Sequence, residues 1–445
     1  MSDVPFGFSP HDPDDKSGKP GDNPFDFSQL GNMLSQLGSM LSNAGSSSGP
    51  VNYDLAKQIA FQQLSSKATT IGFASDQSSA VTDAVHLAEM WLDPVTSLPA
   101  GSRTTQAWTA RDWIERTIPT WQRLCDPVAQ RMSGAWVEAM PAEAKQAAGP
   151  LLAMLGQMGG MAFGSQLGNA LAQLGSEVLT STDVGLPLGP EGTAALLPAN
   201  IEKFTEGLER PASEVMVFLA AREAAHQRLF THVPWLRPRL LDTVEAFAKG
   251  IKVDTSALEQ LAGQIDPSNP ASIEEAMGSG LLEPQTTPEQ KAALERLETL
   301  LALVEGWVDV VVDAAVSERL PGSAALRETL RRRRASGGPA EQTFATLVGL
   351  ELRPRKLRAA SALWKLIGDQ HGVEVRDGVW EHAELVPTAE DLDDPLEFAE
   401  RLTSTRKALE DPIAELERTM RESEGKAGDE PESGKPEDGG KPEGA

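Results

Sequence analysis

The stretch that most limits how this 445-residue chain can fold runs from Glu214 to Phe230. After Glu214 it reads VMVFLAAREAAHQRLF, an apolar run with Arg222, Glu223 and His226 in its middle. Pro211 and Ser213 mark a helix start, and Pro234 stops the helix soon after Phe230, so one helix is expected. At 3.6 residues per turn, Arg222 and His226 lie one above the other with Glu223 beside them. An unpaired charge withdrawn from water costs several kcal/mol or changes its protonation state, so this helix requires partners from elsewhere in the chain.

A second stretch offers them. In LLALVEGWVDVVVDAA, residues 300–315, the carboxylates Glu305, Asp309 and Asp313 recur every fourth residue and stack along one face of an otherwise apolar helix. Thr287-Pro288-Glu289-Gln290 has the form of a capping box opening that helix, which is expected to run through Glu318. Leu294, Leu297, Leu301, Val304, Val308, Val311 and Ala315 give it an almost heptad-spaced seam beside the acidic stripe. Such a stripe calls for a cation.

Arg222-Glu223-Ala224-Ala225-His226 and Glu305-Gly306-Trp307-Val308-Asp309 resemble the two motifs of a zincin metallopeptidase, HExxH on one helix and ExxxD on a later one. With AAREAAHQRLF, VPWLRPRLL and LVEGWVDVVVD around them, the chain is similar, over about residues 51 to 400, to a bacterial zincin-like branch of hydrolases and zinc-dependent metalloproteases. The resemblance implies zinc as cofactor, His226 and Glu305 as ligands, Glu223 as general base, and Asp309 orienting a ligand histidine. The first ligand position, however, holds Arg222, whose guanidinium has no lone pair to offer and repels a metal.

Three readings follow. Arg222 stands where the metal would be and pairs with Glu305 or Asp309, leaving a degenerate zincin, a non-catalytic or non-canonical scaffold. Or Arg222 swings aside and another residue, His232 being nearest in sequence, completes an active zinc-dependent metallohydrolase. Or His226 is an ordinary hydrogen-bonded core histidine and the acids a solvated stripe. Whether the chain is an enzyme stays open at this point.

The net charge of -25 argues against nucleic acid and anionic membrane surfaces as partners. A peptide or protein partner fits better, and oligomeric state is not legible. One cysteine, Cys125, makes neither an internal disulfide nor a thiolate cluster, which suits a reducing cytoplasm, and the N-terminus lacks a secretory pattern.

The expected fold is mainly α, a multi-helix zincin-like body with disordered N- and C-terminal tails. Its regions are a tail at 1–50, an N-terminal helical region at 51–200, a core with both motifs at 201–330, a C-terminal helical unit at 331–421, and an acidic tail at 422–445. Phe27 to Leu41 in the first tail has amphipathic spacing. His86 is expected in a packed core, and Trp108, Trp113, Trp121 and Trp136 read as core ridges. Gly156, Gly160, Gly164 and Gly168 recur every fourth residue, which implies close backbone approach, tight packing being preferred to a membrane or oligomer contact. Gly185 to Gly192 forms a loop that by analogy supplies a substrate-binding edge. Ser272 to Glu275 has capping-box form, and Arg331 to Arg334 reads as a solvated helix end in preference to an anion site.

Overall fold

Apolar residues spaced three and four apart become helices here, and thirteen of them occur among the described residues. The computed structural model describes residues 49–67, 75–138, 149–250, 287–335, 339–348 and 356–410. The helices are α1 Tyr53–Lys67, α2 Ser75–Leu92, α3 Ala110–Glu138, α4 Gly149–Gly175, α5 Pro198–Thr205, α6 Ala212–His232 and α7 Leu236–Lys249. They continue with α8 Pro288–Val316, α9 Ser323–Ala335, α10 Pro339–Val348, α11 Leu357–His371, α12 Val373–Gly378 and α13 Pro395–Glu410. The strands β1 Thr104–Ala107 and β2 Thr193–Leu196 pair in parallel, with Thr104 opposite Thr193 and Ala107 opposite Leu196.

At the centre lies α6, buried on every side from Phe218 to Phe230. It packs against α2, α5, α8, α9 and β2, while α8 packs in addition against α7 and α11. Elements from all three expected helical regions therefore share one core. Arg228 ties α6 to α2: its buried guanidinium donates to Glu89 Oε2 at 2.8 Å, to Asp93 Oδ1 at 2.6 Å and to the carbonyls of Glu89 and Leu98. Each donor thereby replaces the water it loses on burial.

The capping box at Thr287 and Gln290 is present in both directions, and α8 stops at Val316, two residues before the expected end. The α6 start has Pro211 at its N-cap with no side-chain cap; Ser213 does not serve there. For Gly160, Gly164 and Gly168 the spacing is explained by α1 and the residues leading into it, whereas a Cβ at Gly156 meets nothing within 4 Å. A Cβ at Gly164 would lie 2.5 Å from the Asn52 carbonyl oxygen and one at Gly168 2.6 Å from that of Ala56, so α1 rests directly on the α4 backbone. Gly306 does the same where α8 crosses α11, with Ala360 Cβ 2.8 Å from the position of its missing side chain.

Trp108, Trp113 and Trp121 are buried as expected. His86 is not: it faces solvent on α2, because the core side of that helix is taken by Val81, Ala84, Val85 and Ala88. No helix among the described residues is long and apolar enough to cross a membrane. The tail expectations at 1–48 and 422–445, the Phe27 to Leu41 segment, the Ser272 to Glu275 box and the Trp136 side chain lie outside the described residues.

Candidate functional site

The crossing of α6 and α8 brings together residues 83 apart in sequence. Arg222 Nη2 donates to Glu305 Oε2 at 2.6 Å. His226 Nε2 lies 3.0 Å from Glu305 Oε1, and its Nδ1 lies 2.8 Å from the Arg222 carbonyl oxygen one turn back. Both neighbours of the ring are acceptors, so both contacts are hydrogen bonds only when the ring carries two protons. Of the two acids offered to Arg222 by the sequence, Glu305 is the one it bonds.

A third helix enters the site. Arg334, at the end of α9, also pairs with Glu305 Oε2 and donates to the Asp183 carbonyl oxygen at 3.0 Å. Arg333 reaches Asp183 Oδ2 at 3.2 Å. Arg327 grips Asp309 through Nε at 2.7 Å and Nη2 at 2.5 Å, and Arg331 adds a bond to Asp309 Oδ2 at 2.6 Å. Ser361 on α11 supplies a further donor to Asp309 at 3.2 Å. The expectation of a solvated cap at Arg331 to Arg334 is thus corrected. The carboxylates of Glu305, Asp309 and Asp183 attract three of the four side chains inward, and Arg332 alone stays at the surface, bonded to Glu328 one turn back.

The charges act on one another. Burial opposes ionisation of Glu305, but Arg334, His226 and Arg222 together hold its carboxyl well below the usual range. Asp309 is likewise held low against burial by Arg327. Burial pulls the Arg222 guanidinium below its ordinary value, Glu305 pushes it back up, and the Arg334 charge adds to the fall. Arg334 is raised on balance, since Glu305 and Asp183 outweigh its desolvation.

A zincin-like metallopeptidase family model matches residues 51–399, which is most of the chain and includes every residue of this cluster. The chain belongs to the zincin-like metallopeptidase family. No curated protein matches it. Among solved structures it is similar to one described as "a putative hydrolase with a novel fold" from Chloroflexus aurantiacus, at 18% identity and a TM-score of 0.58, covering 79% of this chain and 99% of the other. At that identity the likeness concerns the fold.

In this zincin-like chain the donor set does not fit zinc. Tetrahedral coordination places two ligand atoms about 3.3 Å apart, so the His226 and Glu305 pair is close to the separation a shared ion needs. The contacts that the pair already makes oppose one. Glu305 Oε2 is occupied by two guanidiniums, and Oε1 by His226, with Gly185 packed against it so closely that a Cβ there would lie 3.1 Å away. Among the described residues no three His, Cys, Asp or Glu side chains converge to hold a metal. His232 is exposed and contacts the Ala100 carbonyl instead. At an effective dielectric of about 20, a divalent ion about 4 Å from one guanidinium is repelled by on the order of 8 kcal/mol, about what the Glu305 carboxylate gives back, and here there are two guanidiniums.

Glu223 faces away from this cluster into a separate set of donors. Its Oε2 accepts from Thr182 Oγ1 at 2.6 Å and Thr182 N at 3.2 Å; its Oε1 accepts from Gln227 Nε2 at 3.0 Å, Ala195 N at 3.4 Å and the Ser181 hydroxyl. The segment around Ser181 also pairs with β2, Ser181 N donating to the Ala195 carbonyl oxygen at 2.9 Å. Glu223 therefore fastens α6 to β2 and to the buried loop that leads to Gly185. That loop, expected to offer an edge, is largely buried from Leu186 to Gly189. Sequence reasoning missed Arg327, Arg331 and Arg334, although their spacing of four and three places them on one helical face.

Proposed function

We propose that this protein is a zincin-fold member whose metal site has been replaced by a fixed ion cluster, so that it serves as a non-catalytic scaffold for a peptide or protein partner. The observation that carries the reading is the Arg222 bond to Glu305: the side chain at the first ligand position reaches the very carboxylate the second motif would offer to zinc. Two further features support it. Arg334 shares the same oxygen, and Glu223, the residue that would take a proton from a metal-bound water, has both oxygens committed to loop donors. The other reading, an active zinc-dependent metallohydrolase with an unusual third ligand, lacks a third donor among the described residues.

Zinc content separates the two. Elemental analysis of protein purified without chelators, and again after incubation with zinc and removal of excess, is expected to find only trace zinc. About one tightly held zinc per chain would overturn the scaffold reading.

A further inference from the structure

Around the two motif acids five guanidiniums, those of Arg222, Arg327, Arg331, Arg333 and Arg334, face four carboxylates, those of Asp183, Glu305, Asp309 and Asp313. Counting only these described side chains, the guanidiniums exceed the carboxylates by one before any proton on His226 is counted. The excess is concentrated, because Arg222 and Arg334 share a single oxygen of Glu305. Arg222 makes that one side-chain hydrogen bond although only 9% of its surface is exposed. Its side chain is 11% exposed, so it is not wholly closed off from solvent. Arg334, on the same carboxylate oxygen, is more open, with 21% of its side chain exposed.

From this geometry we infer that Arg222 and Arg334 form a binding site for a compact oxyanion of the carboxylate or phosphate class, which bridges the two guanidiniums beside Glu305. A guanidinium presents paired N–H groups that match two oxygens of such a ligand, and Glu305 already shows these two arginines gripping one carboxylate oxygen between them. An anion about 4 Å from each guanidinium gains on the order of 4 kcal/mol of attraction from each and loses about as much to Glu305 beside it, so the second guanidinium supplies the net attraction. The net charge of -25 opposes approach, so the affinity is local in origin and falls with salt. The site rests on the metal-free reading above, since a zinc ion on Glu305 would displace the guanidiniums that form it.

The test is calorimetric titration of the full-length protein with inorganic phosphate and, separately, with acetate, at constant ionic strength. At least one of the two is expected to bind saturably at about one per chain, with Arg332→Gln behaving as the parent and Arg334→Gln weakened by about tenfold or more. Mapping of phenylglyoxal labelling on the parent adds a readout that needs no variant: the bound anion is expected to slow modification of Arg334 but not of Arg332. No saturable binding of either anion, or unchanged affinity in Arg334→Gln, or equal protection of the two arginines, would overturn the site. A zinc-free chain that binds neither anion would end the oxyanion site alone, whereas about one zinc per chain would end the metal-free reading beneath it.

Discussion

Glu223 and Glu305 occupy the positions that would carry proton transfer and metal binding, yet their surroundings fit other work. Glu223 is fully buried and, among the described residues, is held by hydrogen-bond donors and by no ion pair, so it behaves as a hydrogen-bonding hub. Glu223→Gln turns one oxygen into a donor facing donors, and is expected to lower the unfolding free energy by about 2–3 kcal/mol in urea titration. An unchanged midpoint would contradict the structural role. For Glu305 the folded-state value is depressed, so its contribution to stability is present above its unfolded value of about 4.3 and is lost as pH falls through the folded value. Denaturation midpoints are therefore expected to fall below about pH 4, and Glu305→Gln to flatten that acid limb while lowering stability at neutral pH. The charges of Arg222, Glu305 and Asp309 in apolar helices were legible in the sequence because burial demands partners. The Arg334 contact was not, because an arginine run at a helix end is satisfied equally well by solvent, and only the approach of α9 decides.

At the scale of elements, the helices α6 and α8 follow from periodicity and from the capping box at Thr287, which the chain states locally. Their crossing does not, since nothing in the spacing of the two motifs brings them together; family resemblance supplied it. The glycine repeat of α4 was read as close packing with its partner unnamed; Gly160, Gly164 and Gly168 bear this out against α1 and the residues leading into it, while Gly156 faces open space. His86 failed because one histidine on an amphipathic helix fits its boundary as well as its core. The α1 contact gives a paired prediction. Gly164→Ala places a methyl group 2.5 Å from the Asn52 carbonyl oxygen and is expected to cost about 1–3 kcal/mol. Gly156→Ala meets nothing within 4 Å and is expected to stabilise by up to about 1 kcal/mol. Thermal unfolding of the two variants checks both signs, and equal effects would mean that α1 does not rest on this face.

Across the molecule, the two motif helices of a zincin-like body are in contact, and the charges between them form an internal cation–anion cluster. Three helices share the cluster, α6 giving Arg222 and His226, α8 giving Glu305 and Asp309, and α9 giving the outer arginines. Breaking it from one side leaves charge uncompensated, whereas changing both guanidiniums on Glu305 returns a carboxylate to a metal. Zinc titration of the parent against an Arg222→His, Arg334→Gln double variant, read by competition with a chromophoric chelator, tests this directly. The double variant is expected to bind about one zinc per chain and the parent none. Equal zinc binding by the two proteins, or none by a folded double variant, would contradict the claim that these arginines stand in place of the metal.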